Sequence, residues 1–470
     1  MAKIDRRNFL TTSGVGAAAA ATLNFATASS RAAGANERIV LGVIGCGGRA
    51  RKDLLKEFNG DLAEIAYVCD PDSKGADRAA AQIQERGGAV KAVSDMRRVF
   101  DDPDVDAVVI ATPDHWHAPA AIMACEAGKH VYVEKPCSHN LCEGRLLVEA
   151  ARRNERVVQH GTQSRSMPLI ADGIQMLREG IIGDVLVAKA WNVQLRDDIG
   201  HAEPSPPPAW LDYDLWVGPA EFVPHQANRL HYRWHWWYNF GTGDMGNEGV
   251  HELDYARWGL GVETHPTRIS GLGGKLFFQD DQQFPDTQQV VFEYGGEGNE
   301  TANSGSSEKA SSRPEEQRSE PSDGDADRPR RDKRMLIWEM RIWSTNYPYN
   351  VDNGVEFFGT KGRMLLTKRG KVEVFDQGNK RIKAELKSKR TASLPHQLDF
   401  LDAVRNDRRP NADIEIGHLS TSLCHLGNIS TRVGRTLEFD PQSEQILGDE
   451  AANRMLTRTY RKGGHWAIPG

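Results

Sequence analysis

The run Ile39-Val-Leu-Gly-Val-Ile-Gly-Cys-Gly-Gly-Arg-Ala50 decides the fold. An apolar, β-branched strand pattern enters a turn of small residues at Gly45-Cys46-Gly47-Gly48-Arg49-Ala50. That spacing is the phosphate loop of a dinucleotide-binding unit, with Ala50 in the third small position. Gly45 allows the tight turn out of the strand. Gly47 lets backbone approach a pyrophosphate with no Cβ in the way, and Ala50 keeps the next helix close to the sheet. The free N–H groups at the start of that helix complete an anion site. Gly45, Gly47, Gly48 and Arg49 are its candidate cofactor contacts.

Outward from the loop, strand and helix patterns alternate. A helix is predicted over 49–58 and a strand over 62–69, ending at Asp70. An acid at that distance from the first glycine suits the hydroxyls of an adenosine ribose. No Arg stands at positions 71–73, which favours NAD, while Lys74 and nearby basic residues keep NADP open. A helix over 73–86 follows, and then a buried strand over 106–111 that runs into Thr112-Pro-Asp-His-Trp-His117. Beyond it lie a helix over 118–127, the strand His130-Val-Tyr-Val-Glu134 running into Lys135-Pro136, a helix over 141–154 and a sixth strand over 156–160. This alternation implies a doubly wound parallel sheet, an α/β fold with its ligand at the carboxyl ends of the strands. Thr112, His115 and His117 are thereby expected at the mouth of the site.

The phosphate loop, Asp70, Thr112-Pro113 with His117, and Glu134-Lys135-Pro136 together resemble the Gfo/Idh/MocA oxidoreductases. The resemblance runs from about residue 38 to the C-terminus. It implies that Lys135 touches the substrate hydroxyl being oxidised, that Glu134 lies beside the nicotinamide, and that the peptide before Pro136 is cis. It also implies a histidine working with the lysine, four residues after an aspartate. Here His251 matches the histidine, whereas Asn247 stands at the aspartate position. That departure leaves His251 to act alone or through Glu248 or Asp244. The residues agree with the implied role: a lysine beneath substrate and beside a cationic ring can share a hydroxyl proton as hydride leaves. Gln163, Tyr238, Asn247 and Glu248 are the candidate substrate contacts. A sugar, polyol or glycoside is the substrate class implied. A glycoside hydrolase or lyase working by transient oxidation is the alternative.

Residues 161–470 read as a second α/β domain built on a large open, mostly antiparallel sheet, which the resemblance implies covers the site and builds a homo-oligomer. Residues 35–160 are the nucleotide domain. Helices are expected over 167–179, from 248 onward, over 394–405 and within 416–437, and strands near 184–191, 266–273, 287–294, 335–343 and 354–375. The segment His231-Tyr-Arg-Trp-His-Trp-Trp-Tyr-Asn-Phe240 is either a stacking platform for sugar faces or core. His231, His235 and Asp244 do not make a definite ligand set, so no metal is expected. Residues 295–334 carry almost no large apolar side chain and are predicted to be a disordered insert between paired strands.

The totals agree with this reading. The chain has 470 residues, enough for two or three domains, and a net charge of −6 gives no basic face for nucleic acid. Six scattered cysteines form no C-x-x-C pair. Cys137 and Cys142 have a spacing that permits a bridge, but they read better as free thiols. Residues 1–34 carry Arg6-Arg7, an Ala-rich run and Ala26-Thr27-Ala28, the pattern of a twin-arginine export signal and linker. The run is too short and too weakly apolar for a stable membrane span. Export by that route carries folded protein to the periplasm, so the nicotinamide cofactor is expected to travel already bound.

Overall fold

The computed structural model describes residues 38–295, 333–388 and 391–469. The expected export signal and almost all of the 295–334 insert lie outside them. Among the described residues, strands β1 (Ile39–Ile44), β2 (Ala63–Cys69), β3 (Lys91–Val93), β4 (Ala107–Ile110), β5 (His130–Val133) and β6 (Val158–His160) form a parallel sheet. Its order is β3-β2-β1-β4-β5-β6. Both faces are covered by helices, so β4 is buried at every residue and reads as a continuous apolar run. The order reverses between β1 and β4. The crevice at their carboxyl ends is where such folds bind dinucleotides.

The second sheet comprises β7 (Val185–Val193), β8 (Arg268–Gly274), β9 (Thr287–Tyr294), β10 (Arg334–Arg341), β11 (Asn353–Gly359), β12 (Gly362–Leu366), β13 (Val372–Asp376), β14 (Arg381–Ile382), β15 (Leu437–Asp440) and β16 (Gln445–Ile446). Its order is β14-β13-β12-β11-β7-β10-β9-β8-β15-β16. The pairings are antiparallel except that β10 runs parallel to β7. β9 and β10 pair in register from Tyr294↔Arg334 to Thr287↔Arg341, so the strands flanking the insert are partners, as expected.

Two late helices brace the halves together. Helix Leu394–Asn406 sends Phe400 into the first domain, where its ring lies 5.9 Å from Tyr132 and 6.1 Å from Phe58. Truncating a fully buried Phe of this kind costs about 3–5 kcal/mol. Helix Ile414–Val433 places Ile414 in the nucleotide-domain core and Leu423, Leu426 and Ile429 in the core under the second sheet. All six cysteines are free thiols.

Two helix boundaries that shape the site differ from expectation. The helix expected from Ala118 begins at Asp114. Pro119 has no N–H for the His115 carbonyl one turn back, and Arg458 Nη2 supplies that donor at 2.8 Å. The helix expected from Glu248 is regular only over Val250–Leu260, after a wide turn over Met245–Gly249. A wide turn spans five residues per hydrogen bond, so it rotates the residues before it away from the α-helical face.

Candidate active site

One crevice of about 690 Å³ gathers the phosphate loop, the end of β2 and the Glu134-Lys135 step. Its glycines form a cradle. Gly45 has φ +91°, and a Cβ there would sit 2.5 Å from the Ala111 carbonyl. Gly47 and Gly48 face open space, with nothing within 4 Å of an added Cβ. Asp70 is aimed by backbone: its carboxylate accepts from Cys46 N at 2.6 Å and Asp72 N at 2.8 Å. Burial pushes the Asp70 carboxyl up, against those two hydrogen bonds. Thr112 lines the crevice with a buried hydroxyl that has no partner. These features fit a dinucleotide: a pyrophosphate on the loop, a ribose on Asp70 and an open donor at the strand end.

At the other end of the crevice the chemistry is tightly wired. Lys135 follows β5 directly, and its peptide to Pro136 is cis, as the resemblance implied. Lys135 Nζ donates to Asn247 O at 2.5 Å and to Asn247 Oδ1 at 3.1 Å. The Asn247 amide passes the contact on, donating to Asp244 at 2.9 Å and to Tyr232 Oη at 3.1 Å. Asp244 is held in turn by Asn192 and Arg196, at 2.6 and 3.0 Å. A carboxylate therefore stands behind Lys135, reached through Asn247 and three positions before the one where the family pattern puts it. Glu134 pairs with Arg49 at 2.8 Å. Burial pushes its carboxyl up, but Arg49 and Lys135 outweigh burial and hold it below the usual range. Arg49 lines the crevice, with its guanidinium committed to Glu134 and Asp53.

His115, Tyr238, Gln163 and His251 fall outside the crevice, and His117 reaches only its wall. His115 is fully buried and points its Nε2 at the Trp216 carbonyl, 2.9 Å away, because the early helix start turns it from the mouth. His117 reaches the crevice wall, but its ring lies between the Pro136 and Thr112 carbonyls, at 2.6 and 2.9 Å, and so ties two strand ends together. Tyr238 lines a separate cavity. Gln163 and His251 line a smaller pocket with Lys368, joined to the crevice through Glu248. The wide turn explains the split between Asn247 and His251: at regular helical spacing they would share a face. His251 is buried with its Nδ1 unpartnered, and burial first, then Lys368, hold its imidazole below the usual range. Glu248 is kept ionised by Lys368 at 2.6 Å, and Lys368 lies 3.0 Å from Glu252. Burial pushes the Glu252 carboxyl up to about 8.

The sequence reading missed three side chains. Asp114, fully buried on the crevice wall, accepts from Thr242 Oγ1 at 2.6 Å, and burial pushes it up to about 7. Tyr232 reaches Asn247 from a segment too aromatic to separate platform from core. Trp466 lines the nucleotide end of the crevice, with Arg97 stacked 4.4 Å from its ring centre. No spacing rule links a residue so near the C-terminus to the first domain.

Sheet order, phosphate loop and crevice define an NAD-binding Rossmann domain joined to a second α/β domain. Residues 39–162 match the model of the oxidoreductase family with an NAD-binding Rossmann fold. Residues 188–294 and 367–468 match that family's C-terminal alpha/beta domain. The chain belongs to the Gfo/Idh/MocA oxidoreductase family. It is 31% identical over 182 residues to levoglucosan dehydrogenase of Pseudarthrobacter phenanthrenivorans, covering 39% of this chain and 40% of that one. It is 28% identical over 252 residues to the NAD(+) scyllo-inositol 2-dehydrogenase of Bacillus subtilis, covering 54% and 61%. It is 28% identical over 214 residues to a glycosyl hydrolase family 109 protein of Shewanella pealeana, covering 40% and 46%. The matched regions thus span 40% to 61% of the length of these curated relatives. In fold, the levoglucosan dehydrogenase structure in complex with NADH superposes with a TM-score of 0.59 at 18% identity, covering 85% of this chain and 98% of that one.

Proposed function

We propose that this protein oxidises or reduces a carbon bearing a hydroxyl on a sugar, polyol or glycoside, using NAD held in the crevice. The observation that carries the reading is one cavity lined by Gly45, Gly47, Asp70, Glu134 and Lys135 together. NAD, when bound, supplies the acceptor or donor of hydride. The chain supplies the rest. Asn247 aims Lys135 Nζ, which hydrogen-bonds the substrate hydroxyl and takes its proton as the carbon is oxidised. Glu134, kept anionic by Arg49, provides negative charge beside the cationic ring. Tyr232, Trp234 and His235 wall the crevice near Lys135 and exclude water. His251 acts through Glu248, which lines both cavities.

The twin-arginine pattern of residues 1–34 supports export of the folded protein with its cofactor aboard. No pool of free nicotinamide nucleotide is available there for exchange, so re-oxidation occurs in place, by a second carbonyl compound or by the product. We also assign homo-oligomer formation to the C-terminal sheet. The similarity to family 109 glycosyl hydrolases favours a second outcome on the same residues. In it, transient oxidation acidifies the neighbouring C–H, elimination breaks the glycosidic bond and expels the alcohol, water adds to the double bond so formed, and reduction returns the electrons.

The test starts from protein purified without added nucleotide. Denaturation releases NAD in near-equal amount if the cofactor is captive. A sugar and glycoside panel then separates the outcomes: net oxidation that needs a carbonyl acceptor supports the first, and bond cleavage without an acceptor supports the second. Full activity of Lys135→Ala would sink both.

A further inference from the structure

The cavity that holds Tyr238 is as large as the crevice, about 750 Å³. It lies between the start of helix Leu141–Arg153, the loop after β8, the end of helix Ile414–Val433 and the segment 454–459. Four cations, Lys275, Arg432, Arg454 and Arg458, and one carboxylate, Glu221, line it. Lys275 and Arg454 are paired with Asp280 and Glu450. Arg432 has no hydrogen-bond or ion-pair partner among the described residues. Its guanidinium lies 4.0 Å from the centre of the Tyr238 ring, and Phe284 meets that ring edge-on at 4.6 Å.

Two buried donors in the wall are also unmatched. The Arg458 side chain, 8% exposed, gives Nε to Glu143 and Nη2 to the His115 carbonyl, which leaves Nη1 without a partner. Asn140, 4% exposed, caps the helix with Oδ1 at 3.0 Å from Glu143 N, which leaves Nδ2 without a partner. An unmatched buried donor costs about 1–3 kcal/mol, so an acceptor set against these two, beside an arginine that has no ion-pair partner, relieves that cost. The helix start adds its positive end to the same wall. Tyr238 and Phe284 add an aromatic surface of the kind that packs against the C–H face of a sugar ring.

We propose that this cavity is a second ligand site for an anionic saccharide, a sugar acid or a sugar phosphate. Its charged group is held by Arg432 with Arg458 and Asn140, and its ring packs beside Tyr238 and Phe284. The site is placed to influence the crevice. Thr242 lines this cavity, and its hydroxyl donates to Asp114, which lines the other.

Calorimetric titration of the full-length, NAD-loaded protein tests this, with glucuronate, glucose-6-phosphate, glucose and inorganic phosphate as probes. Binding of one or both anionic sugars at millimolar concentration or tighter, well ahead of glucose and inorganic phosphate, is expected. Arg432→Gln weakens that binding at least about tenfold, Arg432→Lys restores part of it, and NAD binding is unchanged in both. The proposal is overturned if neither anionic sugar binds or if Arg432→Gln binds as wild type does. Equally tight binding of inorganic phosphate overturns the saccharide assignment. Loss of the binding in Lys135→Ala but not in Arg432→Gln moves the ligand to the crevice and also overturns it.

Discussion

Alanine at Gly45 and alanine at Gly47 add the same methyl group to the same loop, two residues apart, yet they are expected to fail in different ways. At Gly45 the backbone sits at φ +91°, and the added carbon would lie 2.5 Å from Ala111 C and O and 2.6 Å from Thr112 N. Carbon atoms pack at about 3.5–4.0 Å, so the end of β4 must move by about 1 Å or the loop must rearrange. A side chain in this region of backbone space costs about 1–3 kcal/mol. Overpacking against rigid backbone adds about 1–3 kcal/mol. Gly45→Ala should therefore lose about 2–6 kcal/mol of stability before any nucleotide is added. At Gly47 nothing lies within 4 Å, so the protein without nucleotide should melt as wild type does. The methyl instead occupies the approach of the pyrophosphate, and NAD affinity should fall at least about tenfold, or about 1.4 kcal/mol. The assay is thermal unfolding of nucleotide-stripped protein, paired with an NAD titration of each variant. Equal melting temperatures for the two variants would refute the steric reasoning. Wild-type NAD affinity in Gly47→Ala would refute the placement of the pyrophosphate.

Further outcomes follow from single contacts. Asn247→Asp places a second carboxylate 2.9 Å from Asp244 while giving Lys135 a charged partner. Stability should fall by about 1–3 kcal/mol, and turnover should change because Lys135 exchanges an amide partner for a carboxylate; wild-type stability and turnover together would contradict the contact. Asp114 has its carboxyl raised to about 7 by burial, so its stabilising contribution is fully present below about pH 4 and is lost as pH rises through about 7. In Asp114→Asn the fall in urea stability between about pH 5 and about pH 7.5 should flatten; an unchanged slope would contradict the assignment. Trp466→Ala removes the stack with Arg97 at the nucleotide end and should speed NAD loss about tenfold in a release assay. A wild-type rate would mean that the C-terminal segment does not cover the cofactor.

Five strands of the first domain were legible because burial writes them as apolar runs, and the phosphate loop because each small residue has a steric reason; the short edge strand β3, exposed at Lys91 and Ala92, carries no such run and was not read. The Glu134-Lys135-Pro136 step was legible as a strand that runs straight into a charged end. The geometry around it was not. The four-residue spacing implied by the resemblance suggested that the positions of Asn247 and His251 work together, but the wide turn over 245–249 sends them to different cavities, and periodicity carries no signal for such a turn. His115 looked like a residue of the mouth because it follows the carboxyl end of the strand over 106–111, and Arg458, the donor that lets the helix start early despite Pro119, stands more than three hundred residues away in sequence. Tyr238 and Tyr232 belong to one aromatic run, and only tertiary packing sends one to each cavity.

The central claim is that Lys135 faces the carbon that exchanges hydride with NAD bound in the crevice. The most direct test mixes NAD-loaded protein with a panel of sugars, polyols and glycosides and follows the absorbance of the reduced nicotinamide in a single turnover, in wild type and in Lys135→Ala. The account predicts that at least one compound reduces the bound cofactor in wild type and that the same compound leaves it oxidised in the variant. Reduction at the wild-type rate in Lys135→Ala would contradict it.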